Sequence, residues 1–359
     1  MTEWRDCKFG EIATFSYGKM PNKKNIVNCG YPIFSGYKIV GYYNSYMYED
    51  PQLIIVARGV GGTGDVKISP PKSYITNLSI IAEVHPGKAN KKFLYYYFKI
   101  NNLRELDSGS AQSQITINDL NNYCITLPPL PEQKAIAEVL SSLDDKIDLL
   151  TRQNKTLEDI AQAYFRKWFI EDIHNKICYK RFADVAEFSK GKKPREIIEE
   201  QRKGYVRQIL IDTFDTDKEY YTRPEGMIIS TETDILMVMD GASSGRVEIG
   251  FSGVVGSTIG MFRPKSDFKY PMFLYEFLKS NEEFIMDNTT GSAIPHADKK
   301  LIFELEIPYF QEEKIQEFEN FALVLFNKRQ NNRRQIRTLT KLRDTLLPKL
   351  ISGEIRVKM

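Results

Sequence analysis

From residue 136 to residue 168, apolar or interface-type side chains recur at steps of four and three without a slip: Ile136, Leu140, Leu143, Ile147, Leu150, Asn154, Leu157, Ala161, Tyr164 and Trp168. This is a heptad seam, and it predicts one long helix that needs a partner along its length. Pro128, Pro129 and Pro131 end whatever precedes it. Pro131 falls in the first turn, where its missing N–H is no loss. About 38 helical residues at 1.5 Å each span roughly 57 Å, so the element reads as a spacer rather than the wall of one domain. Asn154, at an inward step, is either a register-setting contact or a solvated side chain at a loose point. A second seam places Ile315, Phe318, Ala322, Leu325, Ile336, Leu339 and Leu346 inward, with Arg329, Asn332 and Arg343 as polar intrusions. It predicts helix over 311–351, with Pro348 near its end and Gly353 as its stop. Antiparallel pairing of the two helices satisfies both seams within one chain. Phe165, Trp168 and Phe169 then either dock other subunits or pack against the second module.

Elsewhere the pattern is short-period and occurs twice. FGEIATFSYGK, from Phe9, returns as FADVAEFSKGK from Phe182; FLYYYFK, from Phe93, returns as FLYEFLK from Phe273. Gly109-Ser110-Ala111 returns as Gly291-Ser292-Ala293, and PPLPEQK from Pro128 as the degenerate PYFQEEK from Pro308. The offset stays between about 173 and 182 residues, too long for a solenoid unit, so the chain is a tandem duplication of module and helix. Strands are expected at 9–15, 31–34, 53–57, 66–68, 79–84 and 123–127, and a helix with an aromatic face at 92–101. The predicted class is α+β: two similar mixed α/β globular modules joined by two long helices in an antiparallel coiled coil, with a pseudo-two-fold internal repeat. The predicted boundaries are a first module at 1–128, a helix at 129–171, a second module at 172–308, a helix at 309–353 and a tail at 354–359.

Composition adds little. A net charge of +3 does not by itself announce nucleic acid, and the four cysteines are widely spaced with no metal-ligand pattern. They read as reduced thiols of a cytoplasmic protein. The N-terminus is charged and no apolar run approaches a membrane span.

The candidate chemistry lies in loops between the repeated pieces. Lys19, Lys23 and Lys24 follow the first strand of one module; Lys190, Lys192, Lys193 and Arg195 occupy the equivalent place in the other. Lysine-rich loops at equivalent places suit phosphate contact, although a charge run is also an ordinary solvated face. Tyr37 and Arg58, with Gln112 and Gln114 in one module and Arg246 and His296 in the other, complete the candidate DNA-contacting set. Gly59, Gly61 and Gly64 match a dinucleotide fingerprint, but strand-like residues follow where a helix is required. The segment therefore reads as a strand connection. No methyl-donor loop, Asn-Pro-Pro-Tyr motif, Walker loop, HExxH or recurrent nuclease cluster is present.

The run LPPLPEQKAIAEVLSSLDDKIDLL and the C-terminal LRDTLLPKLISGEI resemble the helical spacers of the specificity subunit of type I restriction–modification enzymes. The module–helix–module–helix repeat resembles that family over essentially the whole chain. The resemblance implies two target recognition domains, each reading one half of a bipartite double-stranded DNA target, and helices that set the gap and dock two methyltransferase (modification) subunits. It implies restriction (motor-nuclease) subunits as further partners, and no catalysis or cofactor on this chain. S-adenosylmethionine, ATP and magnesium belong to the partner subunits on this expectation. A related system with a fused methyltransferase–nuclease remains the alternative.

Overall fold

The computed structural model describes residues 4–59, 62–106, 114–171, 178–216, 218–291, 293–309 and 312–357. Two compact units divide it, Met1–Ile147 with Thr338–Met359 and Asp148–Arg337.

In the first unit, Ala13–Tyr17, Ser79–Val84, Leu53–Val56 and Val66–Ile68 form an antiparallel sheet in that order. Leu53–Val56, apolar at every position, is buried on both faces. A second sheet runs Ile26–Val27, Ile39–Tyr43, Tyr31–Phe34, Tyr74–Ile75, with its last pair parallel. Arg5–Lys8 pairs with Cys124–Leu127, the strand just before the prolines. The core gathers Phe9, Leu53, Phe93 and Tyr96 with Ile136 and Leu140 of the first long helix and Leu347, Leu350 and Ile351 of the second.

The second unit repeats the frame. Its first sheet is Ala186–Lys190, Ile259–Pro264, Ile235–Val238, Val247–Ile249, and its second contains the equivalent parallel pair, Val206–Ile209 with Gly253–Val255. Here the extra edge strand, Ile229–Ser230, joins Gly253–Val255. In the first unit the edge strand lies on the opposite side of the parallel pair.

Residues 9–15 do not form the expected strand. Phe9–Ile12 is a helical turn and only Ala13–Tyr17 is extended. The turn sets Phe9 and Ile12 on one face, both buried, and Glu11 accepts the N–H of Lys8 at 3.0 Å. Phe182–Val185 repeats this device.

The long helices are Leu130–Arg166, followed by a π-helical turn at Lys167–Glu171, and Glu312–Ile351. Pro348 sits in the last turn of the second. Gly353, at φ +77°, ends it, with Ile355 N–H donating back to the Lys349 carbonyl. Of the predicted seam, Ile136, Leu140, Leu150, Ile315 and Phe318 are buried; Leu143, Ile147, Asn154, Leu157, Trp168, Leu325, Ile336, Leu339 and Leu346 are half-buried. Tyr164 departs from the expectation. It is 43% exposed, and Phe165 and Phe169 are buried in its stead. A straight helix drifts about 20° per heptad from a 3.5-residue repeat, so by the fifth heptad the inward stripe has moved on by one residue. Phe165 and Phe169 therefore belong to the second unit's core, against Phe273 and Phe318.

Each unit shows antiparallel helix pairing. In the first, Arg343 donates to Asp144 at 2.8 Å, and Tyr96 donates to the same carboxylate. In the second, Asn154 meets Asn332 and Glu158 meets Arg329, so the numbers run in opposite directions. Asn332 is fully buried; its amide donates to the Asn154 carbonyl at 3.0 Å, and its own Oδ1 has no partner among the described residues. Asn154→Leu is expected to cost about 1–3 kcal/mol, because it strands that buried donor; Gln153, at 3.5 Å, is a poor substitute. The double variant Asn154→Leu/Asn332→Leu should recover most of the loss. Urea unfolding of both variants checks this, and a double variant no better than the single one would contradict it.

Candidate nucleic-acid interface

One glycine in each unit positions the basic loops. Gly18 ends the strand Ala13–Tyr17; a Cβ there would lie 2.2 Å from the Thr76 carbonyl oxygen. At Gly191, beyond Ala186–Lys190, a Cβ would lie 2.1 Å from the Gly256 carbonyl oxygen. The chain can slip between two strands only without a side chain. That accounts for the Gly-Lys pair in both copies and brings Lys19 and Lys192 out at equivalent places.

Lys19, Lys23 and Lys24 are exposed. Asn22 caps the turn Lys23–Asn25 by accepting the N–H of Lys24 at 3.1 Å. Among the described residues these three lysines have no ion-pair partner. In the second unit, Lys192, Lys193 and Arg195 line a groove of about 580 Å³ with Thr222, Arg223, Met227, Glu196 and Glu225. Four cations face two carboxylates. The two extra cations leave the groove positive, and the Tyr205 hydroxyl donates to Glu196 at 2.7 Å, holding that carboxylate in place.

Tyr37 lies over the glycine turn after Arg58. Its ring would stand 2.2 Å from a Cβ on Gly62, and its hydroxyl 2.7 Å from one on Gly59. This turn joins two antiparallel strands, Leu53–Val56 and Val66–Ile68, and among its described residues opens no helix. Arg58 is exposed and bridges by its backbone to Gln114. Gln112 lies outside the described residues.

In the second unit the corresponding bridge joins Asp240 to His296. His296 Nδ1 is 2.8 Å from Asp240 Oδ1, and Lys190 Nζ is 2.9 Å from Oδ2. Burial pushes the Asp240 carboxyl up, but Lys190 and His296 outweigh it and hold the group below its ordinary value. Arg246 is placed differently. It is half-buried, and its guanidinium is bidentate on Asp215 and also bonded to Glu248. Arg246 holds the Asp215 carboxyl below its usual range. It braces the unit, and this geometry leaves no open fork toward a ligand.

Asp240 and Arg223 were not among the residues expected from sequence. Asp240 stands opposite Arg58 in the internal repeat, which is a usable signal. Arg223 has none, since only the fold brings it beside Lys192 and Lys193.

Two stretches, 1–159 and 175–333, match the family model described as "Type I restriction modification DNA specificity domain". The chain is 28% identical to the type I restriction enzyme MjaIX specificity subunit of Methanocaldococcus jannaschii, over 74% of this chain and 69% of that protein. It is 23% identical to a putative type I specificity subunit of Mycoplasma pneumoniae, over 97% and 96%. The crystal structure of a type I restriction–modification S subunit from M. genitalium matches the fold with a TM-score of 0.72 at 21% identity, over 99% of this chain and 96% of that one.

Proposed function

The chain belongs to the type I restriction–modification DNA specificity family, and from that membership we propose that each unit reads one half of a bipartite double-stranded target. The observation that carries the reading is one frame built twice with differently furnished loops: three lysines and a tyrosine at Lys19, Lys23, Lys24 and Tyr37 in one copy, a basic groove at Lys192, Lys193, Arg195 and Arg223 in the other. Lysines and arginines fix each module on phosphates, and polar loop residues read base edges in the major groove. The long helices carry the spacing between the halves and dock two methyltransferase subunits, with restriction subunits joining that assembly. On this reading the chain contributes recognition and no bond-making step. S-adenosylmethionine, ATP and magnesium act on the partner subunits, and the assembly works in the cytoplasm. Among the described residues no helix is long and apolar enough to cross a membrane.

The test is a map of N6-methyladenine across the genome of cells expressing the chain with its methyltransferase, before and after residues 172–308 are exchanged for another module. A two-part motif whose second half alone changes is the expected result. A motif indifferent to the exchange, or methylation that persists without the chain, would refute it.

A further inference from the structure

Arg58 and Asp240 hold the same backbone address. Each follows the central strand of its first sheet. Ala57 N–H and Arg58 N–H both point to the Leu78 carbonyl, at 2.9 and 3.4 Å; Met239 N–H and Asp240 N–H both point to the Thr258 carbonyl, at 2.8 and 3.4 Å. Ile115 N–H donates to the Ala57 carbonyl, and Ala297 N–H to that of Met239. The bridged neighbours, Gln114 and His296, are therefore equivalent as well. At this address the sign of the charge is inverted between the copies.

We propose that this address is a base-reading position in both modules: Arg58 reads a guanine, and Asp240 with Lys190 reads a G·C pair through the cytosine amino group and the guanine oxygen. The proposal rests on the reading that both modules face DNA. A carboxylate on that face cannot contact phosphate, because like charges repel. Its matching partner is an amino group, and in the major groove only cytosine N4 and adenine N6 present one. Lys190 decides between them. Its ammonium, 2.9 Å from the carboxylate, places a donor directly beside an acceptor. A G·C pair sets O6 and N7 of guanine beside cytosine N4, two acceptors for the lysine. An A·T pair splits its two acceptors, adenine N7 and thymine O4, to either side of the N6 amino group, so it offers the lysine no adjacent pair, and its thymine oxygen is flanked by a methyl group. His296 fixes the carboxylate plane through Oδ1, and each carboxylate oxygen keeps a lone pair for the base. Lys190 and His296 side chains are each 49% exposed and Asp240 is 23% exposed, so the group is reachable yet held in place. In the first unit, Arg58 has no ion-pair partner among the described residues, which leaves its donor fork open to guanine O6 and N7.

Asp240→Asn keeps the shape and removes the charge. It is tested in the assembled complex with the methyltransferase, on a DNA library randomised in both half-sites, with methylation sequenced. The expected result is loss of discrimination at one G·C position of the second half by on the order of ten-fold, with every first-half position unchanged. Lys190→Ala, which trims a half-exposed side chain, should relax the same position, and Arg58→Ala a guanine in the first half. Unaltered base preferences, or an equal drop across all sequences, would show that the cluster only braces the loop and would overturn the proposal. A wild-type complex with no two-part motif would instead refute the functional reading beneath it.

Discussion

Phe318→Ala is expected to cost the second unit about 3–5 kcal/mol, the range for emptying a buried phenylalanine site. Phe318 is fully buried and lies within 6.3 Å, ring centre to ring centre, of Phe165, Trp168, Phe169 and Phe273. Those rings come from the end of the first long helix and from the helix Pro271–Ser280. Phe318 itself stands near the start of the second long helix. One substitution therefore loosens three segments that no continuous backbone ladder joins. Edge-to-face pairs dominate the cluster, so lost ring contacts add to the lost burial. The two tryptophans make the measurement selective, since Trp168 lies against Phe318 and Trp4 against Gly353 in the first unit. In urea, the Trp168 transition should move to much lower denaturant while that of Trp4 moves little. A joint shift of both, or a loss under about 1 kcal/mol, would mean that Phe318 is not the keystone of the second core.

The helices and the duplication were legible because their signals are periodic. A heptad seam survives single polar intrusions, and two copies of a frame vouch for each other even where PPLPEQK has decayed to PYFQEEK. Legibility failed where a competing geometry wins locally. The stretch from Phe9 to Phe15 reads as a short strand, yet the spacing of three between Phe9 and Ile12 fits one helical turn, and burial of both side chains selects it. Tyr164 lost its inward place to Phe165 by helical drift, which no local residue announces. At the site, sequence found the loops but not the pairings. The separation of 56 positions from Asp240 to His296 is bridged only by the fold. Arg246, a plausible phosphate contact on paper, is committed to two carboxylates that only the fold delivers.

Raising the pH should weaken the second unit, and Glu276 is the main reason. Its side chain is buried on the helix Pro271–Ser280, and its Oε2 has no hydrogen-bond partner among the described residues. Burial pushes its carboxyl up to about 8; Arg329 and Lys279 oppose the shift, and Glu158 adds to it. Tyr275 donates to Glu158, which also faces Arg329, so the charges around Glu276 are already mutually engaged. Glu319 acts in the same direction. Burial raises it to about 7, although it accepts the N–H groups of Met272 and Phe273. A carboxyl raised in the folded state binds more protons there than in the unfolded chain. Stability from such a group is complete below the unfolded value near 4.5 and is lost as pH climbs to the folded value. The window is thus pH 4.5 to about 8 for Glu276 and pH 4.5 to about 7 for Glu319. A displacement of the size at Glu276 is worth on the order of 4–5 kcal/mol across its window. Glu276→Gln carries no charge at any pH. It should match the parent near pH 5 and exceed it by several kcal/mol near pH 8.5, with a visibly flatter profile between. Urea titrations followed at Trp168 across that range decide the matter: parallel profiles for variant and parent would mean that Glu276 is ionised in the folded chain at neutral pH, with Arg329 as its true counter-ion.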